Sequence, residues 1–480
     1  MPRLAMLVAV VLLVLIGIVM VFSASTVEAI NNGESPTAYV VKQVIFVAVG
    51  TVLALLVYRS NYRSLMGGVW FWGFWGVCFV LLCLVPLIGT NILGAKRWIY
   101  VGSFSIQPTE FAKIMIVVAA AKVLMELRSE VRAFKDASIA AFVLVLVPMG
   151  LILGTQSDMG STIIILAGVL AVMWLGEVPT KVMLGICAAV VVVGAVALFG
   201  GSGYRQERVK IWLDPFSDQY GTGYQMVRSF YAFSEGGLFG VGLGNSREKF
   251  LYLPEAETDF IFSIIGEEFG LVGTVVVVAL FIAVLFCGLR VAKNAADDFG
   301  AMVAGGLTCM LVIHAFLNMA CATGLFPTTG KPLPFISSGG SSVIASLLMV
   351  GLILSVSRVA GEEACAPQRS SAERRRANLN YIRVEDSPAS GAARRTHGAE
   401  PGFDERPRTR RARGDAFGGV MAPRDGGSAQ GSRRARVDER VDSRRNASRG
   451  SSRAETSSRV SSRDSRRSDR GRRDGGRSSR

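Results

Sequence analysis

The 480-residue sequence predicts an all-α integral membrane protein with ten transmembrane helices, a long extracytoplasmic loop between helices 7 and 8, and a disordered basic C-terminal tail. Three observations carry that expectation. Apolar runs long enough to cross a bilayer recur through the first 360 residues, which excludes a string of soluble domains. Positive charge gathers in alternate short loops, as the inside bias of membrane proteins requires. The charge is also lopsided. Of a net +15, residues 361–480 carry 30 Arg, no Lys and 17 acidic side chains, while residues 1–360 hold 22 basic and 20 acidic ones. Residues 1–360 are therefore expected to form the membrane domain and 361–480 the tail.

The first span, Leu4 to Ser23, follows Arg3 and is too long for an ordinary signal-peptide core, so it is expected to remain as a helix. Spans 2 and 3 fall at about 43–58 and 68–89. Span 4, about 108–125, is interrupted by Lys113 and Lys122. Spans 5 and 6, about 137–154 and 160–176, are joined by a tight polar turn around Asp158. Span 7 is about 182–200, a polar loop follows to about 258, and spans 8 to 10 fall at about 259–289, 300–322 and 340–358. Arg59, Arg63, Arg128, Arg132, Lys135 and Arg290 all lie on one side of that count, against Lys42, Lys96, Arg97 and Lys331 on the other. Both termini are therefore expected in the cytoplasm and the 201–258 loop outside.

The tail is too poor in apolar residues to fold. On a membrane protein with a cytoplasmic C-terminus, its Arg-Ser runs suit anionic lipid or an acidic partner better than nucleic acid. A merely solvated tail is the plainer alternative. Six of the seven cysteines lie in or beside apolar runs without metal-type spacing and read as small core fillers.

Polar residues cluster at four places on the outer side. In 94–113, Lys96 and Arg97 flank Trp98 at the interface, and Glu110 and Lys113 are three apart on one helical face, able to pair. In 154–162, Asp158 sits in the turn between two helices, where stabilising that turn is its plainer role. The long loop supplies Arg205, Arg208, Lys210, Arg228, Arg247 and Lys249 among aromatics and glycines; cations suit a pyrophosphate, and aromatic faces suit sugar rings. In 323–342, three prolines and four glycines interrupt membrane-depth backbone around Lys331 and Ser338, an irregularity tolerated only inside protein or a wet cavity.

Span 8 carries three carboxylates. Intramembrane carboxylates are costly, which points to function. On a continuous helix Glu267 lies about 80° from Asp259 and Glu268 nearly opposite, with Asp259 about 12 Å from Glu267 along the axis. Asp259, at the membrane mouth, is expected to be chemical. Glu267 and Glu268 are expected to be structural, paired with a cation or hydroxyl. Gly266 and Gly270 are expected to allow close helix packing, and His314 and Asn318 to bond between helices.

The motifs GAKRWI…QPTEFAK, DMGST, DPF, GYQ, GLGNS, YLPEAETDFIFSIIGEEFG and PLPFISSGGSS, in that order, resemble the SEDS family (shape, elongation, division and sporulation), the division branch more than the elongation branch. The resemblance covers about residues 5 to 358. It implies a SEDS-type ten-helix peptidoglycan glycosyltransferase that polymerises lipid II at the outer face of the cytoplasmic membrane, beside a class B penicillin-binding transpeptidase and other division proteins at the septum. The family's essential aspartate falls on Asp259, its outer-loop tryptophan on Trp98, and its Glu and Lys on Glu110 and Lys113. This chain departs from the family's pattern at Glu257, where histidine is frequent. Other departures are SSGG at 337–340 in place of SYGG, and lysine at 331 rather than at Thr329.

The implied reaction needs a general base for a sugar hydroxyl, for which Asp259 is the candidate. It needs cations for the departing polyprenyl pyrophosphate, for which Arg205, Arg208, Lys210, Arg247, Lys249 or a divalent ion, Mg or Mn, are candidates. No cofactor is otherwise required. A lipid II flippase or a non-enzymatic division scaffold are the rival readings.

Overall fold

Each predicted span coincides with a helix in the computed structural model, which describes residues 2–92, 95–101, 104–199 and 209–365. The helices are α1 (Pro2–Asn31), α2 (Ala38–Arg59), α3 (Val69–Ile88), α4 (Pro108–Arg128), α5 (Phe134–Thr155), α6 (Met159–Leu175) and α7 (Thr180–Phe199). After α8 (Tyr224–Gly236) come α9 (Ile261–Lys293), α10 (Asp298–Ala322) and α11 (Gly340–Cys365). Among the described residues seven of them, α1, α2, α3, α5, α9, α10 and α11, are long and apolar enough to cross a membrane. Helix α6 and the Thr180–Val190 part of α7 are apolar but shorter. Helix α4 has the length but carries Glu110, Lys113, Lys122, Glu126 and Arg128. Helix α5 is continuous but contains a π-helical turn, Phe142–Leu146.

Helix α10 forms the centre, with Ala304, Leu307, Met310, Leu311 and Ala315 fully buried. Glycines set its approach to its neighbours. A Cβ on Gly168 of α6 would stand 3.0 Å from Met310 Cβ, and one on Gly288 of α9 would stand 2.2 Å from Thr308 Oγ1. Small residues permit this backbone approach where lipid offers no hydrophobic drive for association. Helix α2 is peripheral, burying only Gln43 and Gly50. At the end where α1 begins and α11 ends, Arg63 joins Asp297 at 2.7 Å and Glu363 at 2.5 Å, and Tyr62 donates to Asp297 at 2.7 Å, so the α2–α3 connection clamps α10 and α11.

Three features depart from the expected all-α plan. Between α3 and α4 lies a three-stranded antiparallel sheet, β1 (Thr90–Ile92), β2 (Ala95–Val101) and β3 (Phe104–Ile106), in that order. Its strand signal is the β-branched and aromatic run Trp98-Ile99-Tyr100-Val101, too short to outweigh the surrounding loop residues. The stretch read as the 201–258 loop is partly helical, with a 3-10 turn at Pro215–Asp218 and the amphipathic α8. Helix α8 is pinned by Ser229, which bonds Ser263 Oγ at 2.6 Å and donates to the Ala322 carbonyl at 2.6 Å.

The third departure concerns α9. It begins at Ile261, so Asp259 precedes the helix, and it breaks at Gly270, whose φ is 65°. The glycine-rich segment lies along that break. Val241 and Gly242 donate to the carbonyls of Glu267 and Glu268 at 3.0 Å, and Leu271 and Val272 donate to those of Gly237 and Leu238 at 2.9 and 3.2 Å. Backbone groups freed by a break near lipid must find partners, and this segment supplies them. Gly266 does serve packing, its Cβ position lying 2.3 Å from Phe233 of α8, but Gly270 serves the break. Residues 271–289 alone are uncharged and span about 28 Å at 1.5 Å per residue. Glu267 and Glu268 therefore stand at the end of the crossing segment rather than within it.

A Cβ on Gly270 would meet Gly240 N at 2.5 Å and the Leu238 carbonyl carbon at 2.6 Å, besides straining a positive φ. Gly270→Ala is expected to destabilise the protein by about 1–3 kcal/mol or more. Thermal unfolding in detergent checks this, and an unchanged midpoint would show that the break tolerates a side chain.

Candidate active site

At the end of the bundle where α10 ends and α11 begins, four segments meet: 105–107, 156–158, 257–259 and 331–341. Backbone hydrogen bonds stitch them. Ser337 Oγ donates to the Thr258 carbonyl at 2.6 Å and accepts from Leu333 N at 2.8 Å. Ser338 N donates to the Glu257 carbonyl at 2.9 Å. Asn318 Nδ2 on α10 reaches both the Asp259 carbonyl at 2.8 Å and the Lys331 carbonyl at 2.7 Å. Gln43 Nε2 on α2 donates to the Ser337 carbonyl at 3.2 Å, and Ser341 Oγ accepts from Gln107 N at 3.0 Å. The proline- and glycine-rich 323–340 connection thus satisfies its irregular backbone inside protein, as membrane-depth backbone must.

Asp259 is half-buried in this junction, held by its own backbone on the Asn318 side and by its Thr258 neighbour on the Ser337 side. Its carboxylate faces Gly330, where a Cβ would lie 3.5 Å from Oδ2. Residue 330 thus brings backbone rather than a side chain up to the carboxylate, and its φ of 67° favours glycine there. Glu257, two residues away, also sits half-buried. Burial, with Glu255, Glu28 and Asp259 adding like charge, pushes its carboxyl up to about 7.

Beneath Asp259 lie two buried ion pairs. Lys331 Nζ meets Asp158 Oδ2 at 2.6 Å, with both side chains essentially excluded from solvent. Asp158 Oδ1 also accepts from Ser161 N at 3.0 Å, capping α6. Burial opposes charge on this carboxyl, but Lys331 and then Arg97 hold it below the usual carboxylate range. Arg97 donates to the carbonyls of Gln156 and Ser157 at 3.1 and 2.8 Å, completing the turn. Lys113 pairs with Glu110 at 2.8 Å on α4, and its Nζ lies 3.4 Å from His314 Nδ1 on α10. Lys113 and Lys331 are therefore not surface cations reaching for a ligand. They set the field and the backbone position beneath Asp259.

Glu267 and Glu268 enter one network that meets at Lys249, whose N donates to Ser246 Oγ at 3.2 Å. Glu267 accepts from Ser246 Oγ and Arg247 N, each at 2.5 Å. Glu268 pairs with Lys249 at 2.9 Å, and both bond Ser23 of α1. Lys249, read as a candidate phosphate cation, is buried and committed to that pair, because the loop that carries it folds back onto the break in α9. Glu248 stands 3.2 Å from Arg228, and burial pushes its carboxyl up to about 7. Arg228 itself lies over three rings, nearest Tyr252 at 4.6 Å.

The remaining candidates divide by exposure. Lys96 is exposed and donates to the Pro86 carbonyl at 3.1 Å, and Trp98 is half-buried on β2. Lys210 and Arg247 are exposed. Arg205 and Arg208 lie outside the described residues. Among the described residues no group of three His, Cys, Asp or Glu converges as a metal site. The sequence reading missed the reach of Asn318 to Asp259 and the seams made by Gln43 and Ser337. The only local signal for them is amide and hydroxyl groups on apolar elements.

Removing one partner from a buried ion pair leaves an uncompensated charge. Asp158→Asn is therefore expected to cost about 3–5 kcal/mol, and Lys331→Met in the same chain to recover much of it. Unfolding midpoints of the single and double variants check the coupling, and additive losses would deny it.

The chain matches the FtsW/RodA/SpoVE model, described as cell cycle protein, over residues 3–362. It is 38% identical over 361 residues to the probable peptidoglycan glycosyltransferase FtsW of Trichlorobacter lovleyi, covering 74% of this chain and 92% of that one. It is 36% identical to the stage V sporulation protein E of Bacillus subtilis, covering 74% and 97%. Among solved structures it is similar, at 28% identity and a TM-score of 0.60, to a chain from a peptidoglycan synthase complex described as coordinating polymerization and crosslinking, covering 74% and 97%. It is similar at 28% identity and a TM-score of 0.53 to the rod shape determining protein RodA of Thermus thermophilus, covering 74% and 95%. With the match running from Arg3 in α1 to Glu362 in α11, this chain belongs to the FtsW/RodA/SpoVE family of cell cycle proteins.

Proposed function

We propose that this protein is a peptidoglycan glycosyltransferase that polymerises lipid II during division, beside a class B penicillin-binding transpeptidase. The observation that carries the reading is Asp259, a carboxylate held at the mouth of the bundle by backbone bonds from two other elements and facing a glycine. The names of the relatives support the reaction, and the synthase complex supports a crosslinking partner.

In the proposed step the 4-hydroxyl of one lipid II attacks the anomeric carbon of another chain. Asp259 takes the hydroxyl proton, and the lipid pyrophosphate leaves with the bonding electrons. One base and one displacement invert the anomeric carbon without a covalent enzyme intermediate. Lys210, Arg247 and Lys96 are the exposed described cations available to the pyrophosphate.

All ten predicted spans cross the membrane in this reading. Helix α6 has 17 residues, about 26 Å at 1.5 Å each, and α4 crosses because its lysines are paired, Lys113 with Glu110 and Lys122 with Glu126. Both termini are cytoplasmic, Asp259 faces outward at the septum, and the Arg-rich tail meets anionic lipid or an acidic partner.

Asp259→Asn is expected to fold and insert normally but to lose polymerisation by about 10²–10⁴-fold, measured with purified enzyme, its transpeptidase and lipid II. Near-normal polymer from this variant would remove Asp259 as base. Lipid II translocation in liposomes with no polymer from the unmodified protein would favour a flippase.

Glu257 supplies a pH test. Its raised carboxyl is neutral below about 7 and negative above it. Charging it makes Asp259 a stronger base, so activity is expected to rise with pH through about 7. Stability runs the other way, falling as pH rises from the ordinary glutamate value toward 7, since the folded state holds the proton longer. Glu257→Gln should remove the rise near pH 7 from the rate profile, and a profile identical to the unmodified enzyme's would refute the coupling.

A further inference from the structure

A groove of about 380 Å³ lies between α3 and α5 toward the first turns of both helices, remote from Asp259. Trp72, Trp75, Ile139, Val143 and Leu144 line its apolar part, and Arg132 and Asp136 its rim. Its floor is the π-helical turn Phe142–Leu146, where Trp75 Nε1 donates to the Leu144 carbonyl at 3.3 Å. A π-turn displaces the helix backbone and recurs at functional sites. Ile139 and Val143 are exposed on a helix apolar enough to cross a membrane, and Trp72, in the first turn of α3, is half exposed, as suits a residue that prefers the headgroup boundary.

The rim charges are separated by sign. Lys122, Glu126 and Arg132 form a chain, with Glu126 Oε1 at 2.8 Å from Lys122 and Oε2 at 2.7 Å from Arg132, leaving one surplus positive charge. Four residues on, in the first turn of α5, Asp136 is exposed and has no ion pair among the described residues. A cation and an anion side by side, above aromatic and aliphatic walls, complement a ligand with the opposite pair and a hydrocarbon tail. An anionic headgroup would meet Asp136 unfavourably, and a partner helix would leave that carboxylate and the surplus cation to be satisfied separately.

We propose that this groove binds a zwitterionic phospholipid, its phosphate at Arg132, its ammonium between Asp136 and the faces of Trp72 and Trp75, and an acyl chain along the π-turn. The site requires no part of the glycosyltransfer reading and would stand or fall apart from it.

The test is native mass spectrometry of the full-length protein, delipidated in detergent and offered equimolar phosphatidylethanolamine and phosphatidylglycerol with identical acyl chains. Retention of phosphatidylethanolamine is expected to exceed that of phosphatidylglycerol by about fivefold, the upper range for one exposed charge contact. Asp136→Asn, at an exposed position without a side-chain bond to lose, should bring the ratio near one, and Asp136→Lys should reverse it. Arg132→Gln should weaken retention of both lipids. Equal retention by the unmodified protein, or a preference unchanged by both Asp136 substitutions, would overturn the site. A protein that co-purifies in the groove and excludes both lipids would overturn it as well.

Discussion

Most of the charge inside this bundle is held in pairs, Glu267 with its hydrogen bonds to Ser246 and Arg247 N being the exception, and those contacts fix where the loops lie. Lys331 reaches Asp158 at 2.6 Å, joining the 323–340 connection to the α5–α6 turn. Lys249 reaches Glu268 at 2.9 Å, joining the glycine-rich loop to α9 and, through Ser23, to α1. Neither lysine could stay charged in so buried a place alone, and neither carboxylate could either. Each pair therefore acts as a register pin for a segment that has too few apolar contacts to hold itself. The junction around Asp259 depends on the first pin directly, because Asn318 bridges the backbones of Lys331 and Asp259.

The break in α9 is the second constraint. A straight helix through Gly270 would leave Glu267 and Glu268 facing lipid or the core with no nearby donors. Breaking it exposes backbone groups that the 237–242 segment then satisfies, and that docking delivers Ser246, Arg247 N and Lys249 to the two carboxylates. The glycines at 236, 240 and 270 are the enabling residues, since each stands within 2.6 Å of another segment's backbone at its Cβ position. One local distortion thus joins the crossing helix, the glycine-rich loop and α1 into a frame below the candidate site.

Much of this architecture was legible residue by residue. Long apolar runs marked every helix that coincides with a predicted span, because apolar length is a local property. The Glu110–Lys113 pair followed from i,i+3 spacing. The sheet at 90–106 was not legible, because its strands are short and its stability comes from pairing across the chain. The start of α9 after Asp259 was also hidden. The apolar run begins at Phe260, directly after Asp259, and no side chain caps the helix to mark its first turn, the N-cap being Phe260.

The sequence by itself determined the membrane body, the family motifs and the candidate carboxylate, since hydropathy and motif order need no third dimension. Only the tertiary structure decided which charges are available and which are spent. In sequence Lys249 and Lys331 stand as cations for a ligand and Lys113 as one able to pair with Glu110, yet all three lie buried against a carboxylate at 2.6–2.9 Å. Two of these pairs join residues 19 and 173 positions apart. Pairing over such distances is set by how loops fold onto helices, and no local pattern encodes it.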